Sequence, residues 1–406
     1  MKEATHATPF LCVVDQTLKD QVGHFYEYAH CLYVVATERG HRFLCLAHRD
    51  AEASRLGGLP VQPVFRYTFF EQFERRSRIA PWLDPFRNNL LFYRDLKRAL
   101  RGLTGPECVL FMPTLSHNEL MAWGWWLMQQ KTHTAPSLVL LIRGNYYYEL
   151  DTGRWNRAAM WARAGFRLLE RAARGRTVRI ATDSDRLAEI YRSLTRLPVE
   201  VFPIPHTRGE SGGHASAPDE EGPRPRRLVL LGSARSEKGF VTLVEALRLL
   251  APDLQAGAME VVLQCNVNGD EPVQRAREQL ESWHLPNVTL VKNALSAEEY
   301  YQLLDNSDIV LIPYRLGDYQ ARTSGVLAEA FAAGKAVVTT EGTWMAAQVA
   351  QGGGGVLCRD GDAADLARAM REAVHRYPEL RAEVLRRQPA WVAFHNPHTL
   401  YDLLMR

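Results

Sequence analysis

Residues 228–239 read LVLLGSARSEKG: four apolar residues, a glycine, a short polar stretch with two cations, and a second glycine. The unbroken apolar run Leu228–Leu231 predicts a buried strand, Gly232 a turn at its carboxyl end, and Gly239 the start of a helix. Arg235 and Lys238 then leave the strand end beside the unpaired N–H groups of a helix N-terminus, an arrangement that suits a diphosphate. Solvated loop charges are the competing account of the same two residues. A strand, a glycine turn and a helix in this order form the repeating unit of a doubly wound parallel sheet.

The same unit recurs on both sides. Downstream, the apolar runs Glu260–Leu263, Val288–Val291, Asp308–Ile312, Ala336–Thr339 and Gly355–Cys358 alternate with segments of helical period. Upstream, Phe10–Asp15, Phe43–Ala47, Val109–Met112, Leu138–Ile142 and Val178–Ala181 do likewise. The stretch Gly209–Arg227, GESGGHASAPDEEGPRPRR, has no apolar period and divides the two series. The chain is therefore expected to be α/β: an N-terminal Rossmann-like domain over 1–207, a linker over 208–227 and a C-terminal Rossmann-like domain over 228–388. Two such lobes would leave a cleft between the carboxyl ends of their sheets. The aromatic-rich segment 389–406 is expected to be a helix that packs back across the hinge on the first lobe.

Composition fits two domains: 406 residues, 46% hydrophobic and 23% charged, with no run of 18 apolar residues. The N-terminus, MKEATHATPFLCVVD, carries charges and a proline where a signal peptide has an apolar core, so a cytoplasmic protein is expected. Six scattered cysteines, mostly within apolar runs, read as buried thiols, with neither a disulfide framework nor zinc indicated. Residues 1–207 hold 28 Lys and Arg against 20 Asp and Glu; the remainder hold 21 against 26. Only the first half has a basic surplus that a partner would explain.

A second motif follows Asp308–Ile312: PYRLGDYQARTSGVLAEA, residues 313–330. Thr323 or Ser324 fits an N-cap, Gly325 lets a ligand approach the backbone, and Glu329 lies about one and a half turns into the helix, where a carboxylate can accept from a ribose diol. A glutamate that merely complements the helix dipole fits position 329 equally.

These two segments, with the strand-and-turn spacing between them, resemble the donor lobe of GT-B glycosyltransferases, specifically the retaining group called family 4. In that family a strand–G–x5–K–G element supplies an Arg and a Lys to the donor pyrophosphate, and an E–x7–E–A–x–A–x–G element contacts ribose and sugar. The resemblance implies pyrophosphate roles for Arg235 and Lys238, with Gly232 at the turn, and a ribose role for Glu329. It departs at Ala321, which stands where the family has its first Glu, the residue that contacts the transferred sugar. The likeness covers residues 228–376 and, more loosely, the N-terminal lobe. There Gly23, in DQVGHFY, matches the family's glycine loop, and His117, in PTLSH, matches a histidine that faces the donor sugar. His117 is equally compatible with a helix N-terminal residue that binds nothing.

Other signals compete. Asp183-Ser-Asp185 matches a D–x–D metal motif, yet it stands where a strand meets a helix and N-capping explains it. Residues 154–176 place Arg163, Arg167, Arg171 and Arg174 on one helical face and Trp155, Ala162, Phe166, Leu169 and Ala173 on another. Such a face fits either anionic lipid or plain solvent exposure. No nucleic-acid signature accompanies the charge. Tyr146 and Tyr147, past a strand end, are candidate acceptor contacts, whereas Trp123, Trp125 and Trp126 read as packing. The resemblance thus implies a glycosyltransferase that moves a hexose-type sugar from a UDP- or GDP-sugar to a glycan or lipid-linked acceptor, with retention, no metal and no other cofactor; peripheral membrane contact through 154–176 is what its arginine face would add if it lies on lipid. A sugar-nucleotide-binding scaffold, and an epimerase or hydrolase of the same shape, stand as alternatives.

Overall fold

The structure, a computed structural model, describes residues 8–21, 24–74, 77, 80–102, 105–205, 224–267 and 269–406. The chain forms two compact units. Unit 1 comprises residues up to Thr207 together with Asn396–Arg406, and unit 2 comprises Arg208–His395.

Unit 1 is built on strands β1 (Phe10–Val14), β2 (Arg42–His48), β3 (Val61–Phe65), β4 (Cys108–Met112), β5 (Ser137–Ile142), β8 (Val178–Thr182) and β9 (Val199–Val201), with a short antiparallel pair β6 (Tyr148–Glu149) and β7 (Arg154–Trp155) beside them. The seven strands are parallel in the order β3-β2-β1-β4-β5-β8-β9. β1 and β4 are buried at every position, which is why both read as unbroken apolar runs. The edge strands β3 and β9 escape that pattern. β3 carries Pro63 and is largely uncovered, and β9 is three residues long.

Unit 2 repeats the plan with β10 (Arg226–Leu230), β11 (Met259–Gln264), β12 (Val288–Val291), β13 (Ile309–Ile312), β14 (Ala336–Thr340) and β15 (Gly355–Cys358). These are parallel in the order β12-β11-β10-β13-β14-β15. Each unit has its own apolar core. The strand order reverses between β1 and β4 in unit 1 and between β10 and β13 in unit 2. Crevices at such switch points, outside the carboxyl ends of the strands, are where open α/β sheets take ligands.

The C-terminus corrects one expected boundary. Pro389–Phe394 belongs to the unit 2 helix Tyr377–Phe394, which tolerates Pro389 inside it. Trp391 anchors that helix by donating Nε1 to the carbonyl of Ala328 at 3.1 Å. Only Asn396–Arg406 joins unit 1. Asn396 caps the helix Pro397–Met405, and Leu400, Tyr401 and Leu404 enter the unit 1 core. Arg179 donates to the carbonyls of Leu403 and Leu404 at 2.7 and 2.8 Å, and the Tyr401 hydroxyl meets His41 Nδ1 at 2.8 Å.

All six cysteines are buried free thiols. No described helix is long and apolar enough to cross a membrane.

Candidate functional site

In unit 2 the segment after β10 is fastened at several points. Gln264 Oε1 accepts from Gly232 N at 2.6 Å, and Asp270 accepts from both the amide and the hydroxyl of Ser236 at 2.7 Å. Ser236–Lys238 forms one 3₁₀ turn, followed by Gly239 and the helix Phe240–Leu249. Gly239 has φ +73, and a Cβ there would run into the carbonyl oxygen of Pro313. Only glycine lets the loop lie this close to the segment that leaves β13. Arg315 N completes the junction, donating to Glu237 O at 2.9 Å.

This packing encloses Lys238, which is 8% exposed. Its ammonium lies against Gly232, where a Cβ would fall 2.6 Å from Nζ, and 5.7 Å from the ring centre of Tyr314. Burial, then the nearby charges of Arg235 and Arg322, push its pKa down to about 8, against the opposing fields of Glu237 and Glu329. Glu237 sits between the two guanidiniums, 3.0 Å from Arg235 and 3.6 Å from Arg322. Both arginines remain partly exposed and therefore available to a ligand.

The second motif lies beside the first, with Arg322 and Glu329 both acting on the charge of Lys238. Ser324 caps the helix Gly325–Ala332 by accepting from Leu327 N, and Thr323 is buried beside it. Gly325 is exposed and faces open space at the helix N-terminus. Glu329 accepts a hydrogen bond from the hydroxyl of Tyr300, which comes from the helix Ala297–Asp305. Ala321 is only 2% exposed, so a small apolar group is packed where the resembling family carries a carboxylate.

The structure thus brings Gly232, Arg235 and Lys238 together with the Thr323–Glu329 segment. Sequence reading missed Arg322, Glu237 and Tyr300. Arg322 stood in view as a cation immediately before Thr323-Ser324. Tyr300 had no local signal, since its partner is 29 residues away.

In unit 1 the carboxyl ends of β1 and β4 carry a buried polar network. Ser116 and Glu119 form a capping box at the helix His117–Met128; Gln16 donates to Glu119 at 2.8 Å and Gln72 to Gln16 at 2.7 Å. Burial raises the carboxyl pKa of Glu119 to about 7 and that of Asp15 to about 7. Arg143, after β5, pairs with Asp183, after β8, at 3.2 Å and covers the Tyr28 ring.

His117 is the first residue of its helix and is nearly buried. Burial lowers its pKa to about 4, so the imidazole is neutral at physiological pH, held edge-on by Phe73 and Tyr147. Tyr146 is half-buried in an aromatic group with Phe69 and Phe73. Tyr147 corrects the reading as an acceptor contact: at 1% exposure its ring is enclosed and supports the site from behind. Trp123 and Trp126 are core residues. Gly23 lies outside the described residues.

The capping account of Asp183-Ser-Asp185 also needs correction. Ser184 is the cap, accepting from Leu187 N; Asp183 turns inward to Arg143, and Asp185 turns out to solvent. No group of three or more His, Cys, Asp or Glu side chains among the described residues is placed to hold a metal ion.

Residues 225–376 match the sequence profile of the family described as Glycosyl transferases group 1, a span that contains β10–β15 and the whole candidate pocket. This part of the chain is similar to group 1 glycosyl transferases, and the chain as a whole has a GT-B fold. No curated protein matches this chain. Its solved structural neighbours are remote in sequence but similar along their whole lengths. Sucrose-phosphate synthase from Thermosynechococcus elongatus superposes with a TM-score of 0.65 at 14% identity, over 98% of this chain and 97% of that one. An α,α-trehalose-phosphate synthase (UDP-forming) from Burkholderia vietnamiensis gives 0.63 at 13%, over 98% of each. Anabaena HepE, solved in complex with UDP and glucose, gives 0.62 at 15%, over 97% of each.

Proposed function

We propose that this glycosyltransferase takes its sugar from a UDP- or GDP-linked donor, with the diphosphate bound in unit 2 by Arg235, Lys238, Arg322 and the helix N-terminus at Ser324–Gly325. The observation that carries the reading is the enclosed ammonium of Lys238 near two partly exposed guanidiniums, Arg235 and Arg322, which share the single carboxylate of Glu237 at the carboxyl end of β10. These three cations face two carboxylates, Glu237 and Glu329, so a positive surplus remains that a diphosphate would offset. The neighbour solved with UDP supports a uridine donor as the first to test.

In the transfer we envisage, the bond from the sugar's anomeric carbon to the diphosphate breaks and its electron pair leaves with the phosphate oxygen. Arg235, Lys238 and the amides near Ser324 stabilise that charge, each well-placed donor contributing a few kcal/mol where water is excluded. The acceptor oxygen bonds to the same face of the anomeric carbon, so configuration is retained. Its proton passes to a departing phosphate oxygen. No metal is required in this scheme, because the cations of the pocket balance the phosphate charge. The acceptor, a glycan or a lipid-linked sugar, is assigned to the carboxyl end of the unit 1 sheet, where Tyr146 and neutral His117 offer an aromatic face and a polar edge. Glu329, already engaged by Tyr300, is assigned to the ribose.

Thermal stabilisation of the full chain across UDP, GDP, ADP, CMP and their sugars, with and without Mg²⁺, tests the reading. A selective rise with UDP or GDP, about 2.7 kcal/mol at a hundredfold excess over Kd, supports it. Absence of any shift sinks it. Because position 321 holds a buried alanine, a shift without turnover on any acceptor would favour a sugar-nucleotide-binding scaffold instead.

A further inference from the structure

Five arginines of unit 1 gather at the end of its sheet opposite the one described above. The helix Ala158–Ala172 runs down to the amino end of β8, and Ser193–Leu197 leads into the amino end of β9. Between them lies an open cavity of about 690 Å³ lined by Arg167, Arg171, Arg174, Arg192 and Arg196. All five are exposed.

Among the described residues none of the five is ion-paired with a carboxylate. Glu170, the one acid in the lining, is already used: its Oε1 accepts from Thr195 Oγ1 at 2.8 Å and Arg196 N at 2.7 Å, which folds the loop over the helix. Four arginines of unit 2 give a contrast. On unit 2, Arg359, Arg368, Arg371 and Arg376 each pair with an acid. Capping does not explain the cluster either, because Arg176 takes that task, donating to the carbonyls of Ala172 at 2.9 Å and Gln130 at 2.6 Å.

Five guanidiniums around one concavity repel one another until an anion enters, and their planar forks match phosphate oxygens two at a time. We infer that this cavity binds a ligand bearing several phosphate groups, at a site separate from the candidate donor pocket. A single phosphate carries at most about two negative charges at neutral pH against five guanidiniums, so the match is to a polyphosphate chain or to clustered phosphodiester headgroups. The first is soluble and the second belongs to an anionic membrane.

The test uses the full chain carrying Lys238→Ala, which disables the unit 2 pocket. Inorganic tripolyphosphate is titrated calorimetrically, and phosphatidylcholine vesicles with and without phosphatidylglycerol are used in co-sedimentation. Arg171→Gln/Arg174→Gln is compared with a unit 2 control, Arg368→Gln/Arg371→Gln. Binding of either probe should weaken at least tenfold in the first variant and hold in the control. Sedimentation with the anionic vesicles places the phosphates on lipid, and tripolyphosphate binding alone places them on a soluble ligand. Failure of both probes to bind, or equal losses in the two variants, overturns the inference.

Discussion

The ammonium of Lys238 occupies the space that a side chain at Gly232 would need, with Nζ 2.6 Å from the position of a Cβ. Gly232→Ala should therefore expel the lysine head group as well as strain a backbone at φ +88. We expect nucleoside diphosphate affinity to fall at least tenfold, read by calorimetry, with a modest drop in Tm. Unchanged affinity would mean that Lys238 does not bind the phosphates.

Lys238→Ala should slow transfer tenfold or more, since one lost phosphate donor is worth at least about 1.4 kcal/mol. The pKa of about 8 adds a pH signature. Below pH 8 the free protein already holds the proton that an anionic ligand favours; above it, binding must recruit one. Affinity should then decline as pH rises from 8 to 9.5, approaching tenfold per unit from this group. Lys238→Ala should abolish that slope.

Asp15 and Glu119 give a stability signature in unit 1. Their folded pKa values of about 7 lie above the ordinary 3.8 and 4.5, so the folded state binds more protons between about pH 4 and 7. Stability should therefore fall as pH rises through that window and level off above it. Asp15→Asn should flatten the decline, as measured by urea unfolding at pH 4.5 and 7.5.

Arg143→Leu removes the partner of a carboxylate that is fully buried. Breaking one side of a buried pair costs about 3–5 kcal/mol, so Tm should drop by several degrees or more. A lysine at 143 lacks the planar fork and should rescue only part of the loss.

Tyr401→Phe deletes the hydroxyl that meets His41 but keeps the buried ring. A cost of about 1 kcal/mol is expected. Removing residues 396–406 should be far worse, because Leu400, Tyr401 and Leu404 each contribute roughly 1.5–3 kcal/mol by burial. Purified yield and near-UV circular dichroism would report it.

Interior strands such as β1, β4 and β13 were legible because both faces are covered, which forces continuous apolar runs. The edge strands β3 and β9 carry no such constraint, and neither was read from the sequence. The loop after β10 was legible because backbone geometry demands glycine at 232 and 239. What stayed hidden is set by side-chain direction in irregular segments. Tyr146 and Tyr147 are adjacent, and no period says which ring turns inward. Around Asp183-Ser-Asp185 the cap fell to the middle residue. Glu329 meets Tyr300 only because two helices pack, a relation that spacing along the chain does not encode.

The return of residues 396–406 to unit 1 also orders events during synthesis. Unit 2 is one uninterrupted stretch and has all its core residues before residues 396–406 are made. Unit 1 emerges from the ribosome first yet waits for Leu400, Tyr401 and Leu404 to fill its interior. Completion of the unit 1 core therefore follows synthesis of unit 2, against the usual N-terminal-first order.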